Sequence, residues 1–175
     1  MSPSLACGGP RPSAGPRIPW RTDAGLLTPF CGEFGVDRPD FPDFRGQDGM
    51  RKFMRAKIHQ ARVTQCDLNY VGSITIDEEL LRAVDIRPNE AVHVYDIDNG
   101  SRFETYVILG KAGSGEIGVN GAAAHLTAPG HRLIVVAFEG LEEDAISSHV
   151  SRVVVCDDEN RIIQRLRHPS AFPEQ

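Results

Sequence analysis

From Met50 onward, apolar and polar residues alternate over short stretches that end in turn-forming residues. Such alternation places the apolar side chains on one face of an extended chain, so it predicts many short β-strands. The predicted strands span residues 62–66, 91–97, 103–109, 116–119, 133–138, 152–156 and 161–166. Residues 98–101 contain Asn-Gly between two of these strands and predict a tight hairpin. Residues 157–160 predict a second hairpin.

Only two short segments favour a helix. Residues 77–84 place Leu80, Leu81 and Val84 on one apolar face, with Asp77 as the predicted N-cap. Residues 122–125 contain three successive alanines and predict one helical turn. Many short strands with little helix are typical of a mainly β fold, here a small β-barrel.

The composition changes abruptly near Met50. Residues 1–49 contain eight of the twelve prolines and eight of the seventeen glycines but no lysine. Such a segment buries too little apolar surface to offset the entropy of ordering it, which predicts a disordered extension. A start codon at Met50 is the alternative explanation. Residues 50–175 form the predicted domain.

Charge and cysteine content narrow the possible partners. The formal net charge of −5 argues against a nucleic-acid-binding surface, and no apolar run is long enough to span a bilayer. Cys7, Cys31, Cys66 and Cys156 are scattered without the spacing of metal ligands. These features predict a cytoplasmic protein without a metal site.

Gly-Ser pairs occur at residues 72–73, 100–101 and 113–114. Glycine and serine dominate turns, so a turn is the ordinary explanation for each pair. A serine hydroxyl can instead attack the preceding carbonyl and shift the acyl group from nitrogen to oxygen. The ester then eliminates to dehydroalanine, which hydrolyses to a pyruvoyl group. A preceding glycine favours this attack because it lacks a Cβ and accepts strained dihedral angles.

The sequence around the first pair distinguishes it from the other two. Three separated blocks carry a resemblance: Lys57 to His59 with Asp67 to Ser73, then Asn99 to Tyr106, then Val119 to His125. Together they resemble the bacterial pyruvoyl-dependent aspartate 1-decarboxylases, from about Met50 to roughly Phe138. Val71 departs from the acidic residue that some relatives carry before Gly-Ser.

The resemblance implies a six-stranded double-psi β-barrel, assembled as a homotetramer with active sites between neighbouring subunits. It implies self-cleavage between Gly72 and Ser73 into residues 50–72 (or 1–72) and 73–175. Ser73 would become a covalent pyruvoyl cofactor that forms a Schiff base with L-aspartate, without metal or pyridoxal phosphate. The products would be carbon dioxide and β-alanine for pantothenate biosynthesis.

The resemblance also implies roles for individual residues. Tyr106 would donate the proton that replaces the lost carboxylate. Arg102 and Lys57 would bind the substrate carboxylates, since a guanidinium forms paired hydrogen bonds with a carboxylate. The remaining substrate contacts would come from Thr105, Gly121, Ala122 and Ala123. Cleavage would also involve Gly72, Tyr70, Thr105 and Asn120.

Each role has a structural alternative. Tyr106 is also an ordinary strand tyrosine, and Lys57 and Arg102 are also ordinary solvated charges. His59 and His125 favour a hydrogen-bonded structural role.

Two functional alternatives stay open: a pyruvoyl decarboxylase for a related acid such as glutamate, and a β-barrel binding module that is never cleaved. One methylene in the substrate is worth only about 1–3 kcal/mol of discrimination. The sequence also leaves open whether a maturation factor assists cleavage.

Overall fold

A computed structural model describes residues 49–173 of the chain. Its strands are β1 (Arg51–Arg62), β2 (Gln65–Asp67), β3 (Ile74–Asp77), β4 (Ala91–Asp96), β5 (Arg102–Gly110), β6 (Ile117–Asn120), β7 (Arg132–Leu141), β8 (Val150–Cys156) and β9 (Ile162–Pro169). Its helices are α1 (Glu78–Val84), α2 (Glu143–Ile146) and a 3₁₀-helix (Gly121–His125). The prediction for residues 1–49 lies outside the described residues, apart from Gly49.

The strands follow one hydrogen-bonded order, β2-β6-β3-β5-β4-β7-β1-β8-β9. Most neighbours are antiparallel, but β1 runs parallel to β8, β2 to β6 and β3 to β5. Mixed pairing means that strands distant in sequence lie side by side, as β3 does between β5 and β6. The structure therefore confirms the mainly β fold with short helices.

The count of nine strands exceeds the six that the resemblance implies. β2 and β3 contain only three and four residues, too few for an alternating pattern to separate them from loops. The predicted strand at residues 62–66 is wrong, because β1 ends at Arg62 and β2 begins only at Gln65, so that Val63 and Thr64 belong to neither strand. Among the described residues no ladder joins the end strands β2 and β9. A closed double-psi barrel stays a prediction.

The core lies on the inward face of the strands. Burial alternates along β4, whereas all four residues of β3 and of β6 are buried. Val92 and Val94 on β4 are fully buried, whereas the intervening His93 is partly exposed. Leu80, Leu81 and Val84 of α1 join the same core, as the sequence predicts. None of the described helices is both long and apolar enough to cross a membrane.

Asp77 caps α1 in the predicted manner and also anchors a loop. Its carboxylate accepts hydrogen bonds from the backbone N–H groups of Glu79 (2.8 Å), Gly113 (3.0 Å) and Gly115 (2.7 Å). Three charge-assisted bonds satisfy this buried carboxylate, which has no cationic partner within residues 49–173. The bonds tie the β5–β6 connection to the start of α1, where β3 ends.

A second buried carboxylate, Asp96, holds the end of β4. One oxygen accepts bonds from the backbone N–H groups of Asp98 (2.8 Å) and Asn99 (3.1 Å). The other accepts from the Thr127 hydroxyl (2.7 Å) and pairs with His131 Nδ1 (2.8 Å). Burial raises the pKa of Asp96, but these hydrogen bonds outweigh burial and hold the pKa below its ordinary value.

We expect Asp96→Asn to lower the free energy of unfolding by about 1–3 kcal/mol at pH 7, because an amide cannot accept all four bonds. A carboxylate with a lowered pKa contributes its stability above the ordinary pKa and loses it as the pH falls. The difference from the native chain should therefore shrink below pH 3.8, the ordinary pKa of the group. Urea unfolding at several pH values measures this, with exposed Asp144→Asn as the control. An undiminished difference in acid would contradict the assignment.

Candidate active site

The loop from Leu68 to Ser73 joins β2 to β3 and carries the predicted scissile bond. Exposure falls from 87% at Val71 to 3% at Ser73, so the chain passes from the surface into the core at this bond. One strand, β6, holds both ends of the loop. Asp67 pairs with Asn120 before the loop, and Ile74 pairs with Val119 after it.

The hydroxyl of Ser73 is buried and has no hydrogen-bond partner among residues 49–173. Its carbonyl oxygen, in contrast, accepts a hydrogen bond from the backbone N–H of Asn120 at 2.9 Å. A buried hydroxyl without a partner costs about 1–3 kcal/mol, so native structures rarely retain one without a functional reason. The serine backbone is held in place while its hydroxyl remains available for attack.

Tyr106 lies directly against Gly72. A Cβ added to Gly72 would overlap the Tyr106 hydroxyl, and Gly72 also adopts a φ of +71°. Only glycine meets both conditions without strain. The contact follows from the strand register, because Ile74 on β3 pairs with Val107 on β5, the residue that follows Tyr106. The structure thus brings Tyr106 beside the predicted scissile bond.

The 3₁₀-helix begins against the same loop. Gly121 has a φ of +60°, and a Cβ added there would lie 3.5 Å from the Tyr70 carbonyl oxygen and 3.7 Å from the Gly72 nitrogen. Ala122 is exposed and Ala123 half-buried, which leaves this turn at the surface beside the loop. Tyr70, Gly72, Ser73, Tyr106, Asn120 and Gly121 together form the scissile cluster.

Thr75 joins this cluster although the sequence gave no reason to select it. Its hydroxyl accepts a hydrogen bond from Asn120 Nδ2 at 3.1 Å in a buried environment. Asn120 therefore makes two contacts in this region, through its backbone with Ser73 at the end of the loop and through its side chain with Thr75 on β3. Strand alternation places Thr75 on the same face as Ser73, but this signal requires β3 to be known, and the sequence did not predict β3.

Thr105 lies next to Tyr106 but on the opposite face of β5. It pairs in register with the buried Val92, whereas Arg102 and Tyr106 are exposed. Val107, which pairs with Ile74, lies two residues after Thr105. Because β3 and β5 run parallel, Thr105 lies level with the Gly72 end of the loop, two residues before Ile74.

The predicted substrate cations stand apart from the scissile cluster within one chain. Lys57 lies on β1, which is separated from β3 by three intervening strands in the sheet order. Arg102 lies on the same face of β5 as Tyr106, but four residues away, or about 14 Å. Its guanidinium instead stacks over the ring of Tyr95, 4.9 Å from the centroid. The two cations lie on an outward face of the strands.

His59 and Lys57 share this outward face of β1, on either side of the buried Ile58. Burial, and then the charge of Lys57, lower the pKa of His59. The Nδ1 atom of His59 is buried without a partner among the described residues. The prediction of a hydrogen-bonded structural histidine is therefore not met at that atom. His125 is exposed at the end of the 3₁₀-helix.

Comparison with known proteins places the chain in a family. Residues 50–163 match the model of the family described as aspartate decarboxylase. The chain belongs to the aspartate decarboxylase family. Proteins named aspartate 1-decarboxylase from Staphylococcus aureus strains JH9 and Newman are each 50% identical over 117 residues, covering 67% of this chain and 92% of theirs. The family resemblance predicted from the sequence is confirmed.

Among solved structures, the chain is similar to the crystal structure of the computationally designed protein msDPBB_sym2. The match covers 48% of this chain and 96% of the designed one, with 16% identity and a TM-score of 0.29.

Within residues 49–173 no three His, Cys, Asp or Glu side chains group as metal ligands.

We expect Gly72→Ala to slow self-cleavage strongly, because the added methyl group overlaps the Tyr106 hydroxyl and requires a strained φ. Gly100→Ala is a matched control, since Gly100 has a φ of +78° but nothing within 4 Å of an added Cβ. The control should lose only stability, by about 1 kcal/mol. The cleaved fraction on a denaturing gel compares the two. Equal cleavage in both variants would show that the contact with Tyr106 does not position the bond.

Proposed function

We propose that this chain cleaves itself between Gly72 and Ser73 and then decarboxylates L-aspartate to β-alanine and carbon dioxide. The observation that carries the proposal is the buried Ser73 hydroxyl, which has no partner among the described residues and follows a glycine that lies against Tyr106. Membership of the aspartate decarboxylase family supports the substrate and the reaction, and with them a role in supplying pantothenate.

In the cleavage reaction the Ser73 oxygen attacks the Gly72 carbonyl carbon, and the amide nitrogen becomes the amine of the new serine ester. Elimination then breaks the Cβ–O bond and releases Gly72 as a carboxylate, and water converts the remaining dehydroalanine to a pyruvoyl group with loss of ammonia. The absence of a Cβ at Gly72 leaves the carbonyl accessible. Asn120 holds the Ser73 carbonyl through its backbone N–H, and Thr75 holds the Asn120 side chain. Thr105 polarises the Gly72 carbonyl from the neighbouring strand, and Tyr70 shapes the loop. Both roles rest on the resemblance and the β3–β5 register.

The site fits a pyruvoyl group made from Ser73. Its position is buried, its carbonyl is held by Asn120, and Gly121 lies beside the preceding residue, Gly72. A pyruvoyl group supplies a ketone that accepts an amine and withdraws electrons from the adjoining carbon. Tyr106 places a phenolic hydroxyl beside the bond and serves as the proton donor to the substrate carbon.

Substrate binding requires positive charge, and none of the six residues that define the scissile cluster is cationic. Lys57 and Arg102 lie on the outward face, so a neighbouring copy of the chain would bring them to the cluster. We therefore propose a homotetramer in which these cations bind the substrate carboxylates across a subunit boundary. The backbone of the turn at Gly121, Ala122 and Ala123, of which Ala122 is exposed, offers further donors.

The family match begins at Met50, which supports Met50 as the start of the catalytic domain. We place the enzyme in the reducing cytoplasm.

We expect Ser73→Ala to remain a single uncut chain and to release no β-alanine, because alanine lacks the attacking oxygen. Ser101→Ala is the matched control, since Ser101 also follows glycine but lies in the hairpin after β4. Intact-mass spectrometry measures cleavage, the pyruvoyl cap and the first residue together. Decarboxylation by uncut Ser73→Ala would refute the mechanism. A native chain that never cleaves would instead support the binding module.

We expect Tyr106→Phe to cleave at the native rate and to turn over at least tenfold more slowly, with KM little changed. The variant removes only the hydroxyl that would donate the proton, a role that typically contributes about 10²–10⁴-fold. Release of β-alanine from aspartate and of γ-aminobutyrate from glutamate should be measured in parallel. Near-native turnover by Tyr106→Phe would remove Tyr106 as the proton donor. If the native protein released γ-aminobutyrate faster than β-alanine, glutamate would be identified as the substrate.

A further inference from the structure

Four arginines line a groove of about 450 Å³ between α1, β8 and β9. They are Arg82 on α1, Arg152 on β8, and Arg165 and Arg167 on β9. The groove lies at the β9 end of the strand order, whereas the scissile loop joins strands near the β2 end. It shares no residue with the scissile cluster.

The register of β8 and β9 concentrates this charge. Arg152 and Arg167 pair directly across the ladder, and Arg165 pairs with Val154, which is only 1% exposed. Arg165 and Arg167 are two residues apart and therefore lie on the same face of β9. Like charges placed directly opposite each other destabilise a β-ladder. Three guanidinium groups converge on one side of a single hairpin.

Nearby carboxylates neutralise only part of this charge. Glu78 pairs with Arg82, and Asp85 lies 2.9 Å from Arg152. Both arginines are largely exposed, at 76% and 53%, so these ion pairs exchange easily with another anion. Within residues 49–173 neither Arg165 nor Arg167 has a carboxylate within 4 Å. Among the described residues, Arg165 and Arg167 thus remain uncompensated, in a chain whose formal net charge is −5.

We propose that this groove binds a small phosphorylated anion carrying at least two negative charges. Guanidinium groups present paired N–H donors that match the oxygen atoms of a phosphate, and their planar shape suits a ligand held by several of them. The size of the groove suits a small molecule. A dianion or a more highly charged ligand would balance the two uncompensated charges and relieve the repulsion between Arg152 and Arg167.

Protection of a sheet edge is the competing explanation. β9 ends the strand order among the described residues, and charged side chains on an edge strand prevent pairing with other chains. That explanation accounts for Arg165 and Arg167. It does not account for Arg152 on the inner strand β8 or for Arg82 on a helix. The two explanations differ in one respect, because edge protection requires no bound anion.

Calorimetric titration of the processed, assembled protein with pyrophosphate tests the proposal at about 0.1 M salt, where weak surface attraction is screened. We expect saturable binding near one pyrophosphate per chain. Arg167→Gln should weaken binding at least tenfold, and the Arg165→Gln variant should do the same if the first variant fails to assemble. Arg161→Gln is the matched control, because Arg161 is exposed near the start of β9 but does not line the groove. Its affinity should stay within about twofold of the native value, a difference well below 1.4 kcal/mol.

Three results would overturn the proposal. They are no saturable binding by the assembled native protein, an equal loss in Arg161→Gln, and binding of citrate as tight as that of pyrophosphate. Citrate carries similar charge on carboxylates, so equal binding would show that the groove does not select phosphate. The decarboxylation rate should be unchanged in all variants without pyrophosphate, which separates this result from failure of the proposed activity.

Discussion

The ladder that holds β3 between β5 and β6 determines the geometry of the whole candidate active site. Its register places Ile74 opposite Val107 on one side and Val119 on the other. Because the chain enters β3 directly after Gly72 and Ser73, this register carries the scissile bond to Tyr106 and Asn120. A slip of one residue would turn Ser73 to the other face of the strand and separate it from both.

The loop before this ladder is constrained by the absence of side chains as much as by hydrogen bonds. Gly72 and Gly121 both adopt positive φ angles. Gly72 lies against Tyr106 on β5, which leaves no room for a Cβ, and Gly121 lies beside Tyr70 and Gly72 of the loop. The Ser73 hydroxyl is buried among these groups without a partner in the described chain. The fold thus holds the backbone around the bond and leaves the reactive oxygen unengaged.

Two separate distributions of positive charge follow from the strand order. Lys57 and Arg102 lie on an outward face and remain distant from Ser73 within a single chain, which is why we propose an assembled active site. The arginines of β8, β9 and α1 converge at the other end of the strand order. Both groups depend on register across strands, since no two members of either group are adjacent in sequence.

The sequence alone determined the mainly β fold, the cap of α1 and the hairpin after β4, because these features depend on local patterns of residues. It also determined the family, because three short sequence blocks occur in the order and spacing typical of that family. It singled out Gly72 and Ser73 from three similar pairs for the same reason. Only the tertiary structure decided which residues meet. Thr75 reaches Asn120 across a ladder, Tyr106 covers Gly72 through a parallel register, and Arg152 faces Arg167. The short strands β2 and β3 were also beyond prediction, since three or four residues carry too little periodicity and are held by their partners rather than by their own sequence.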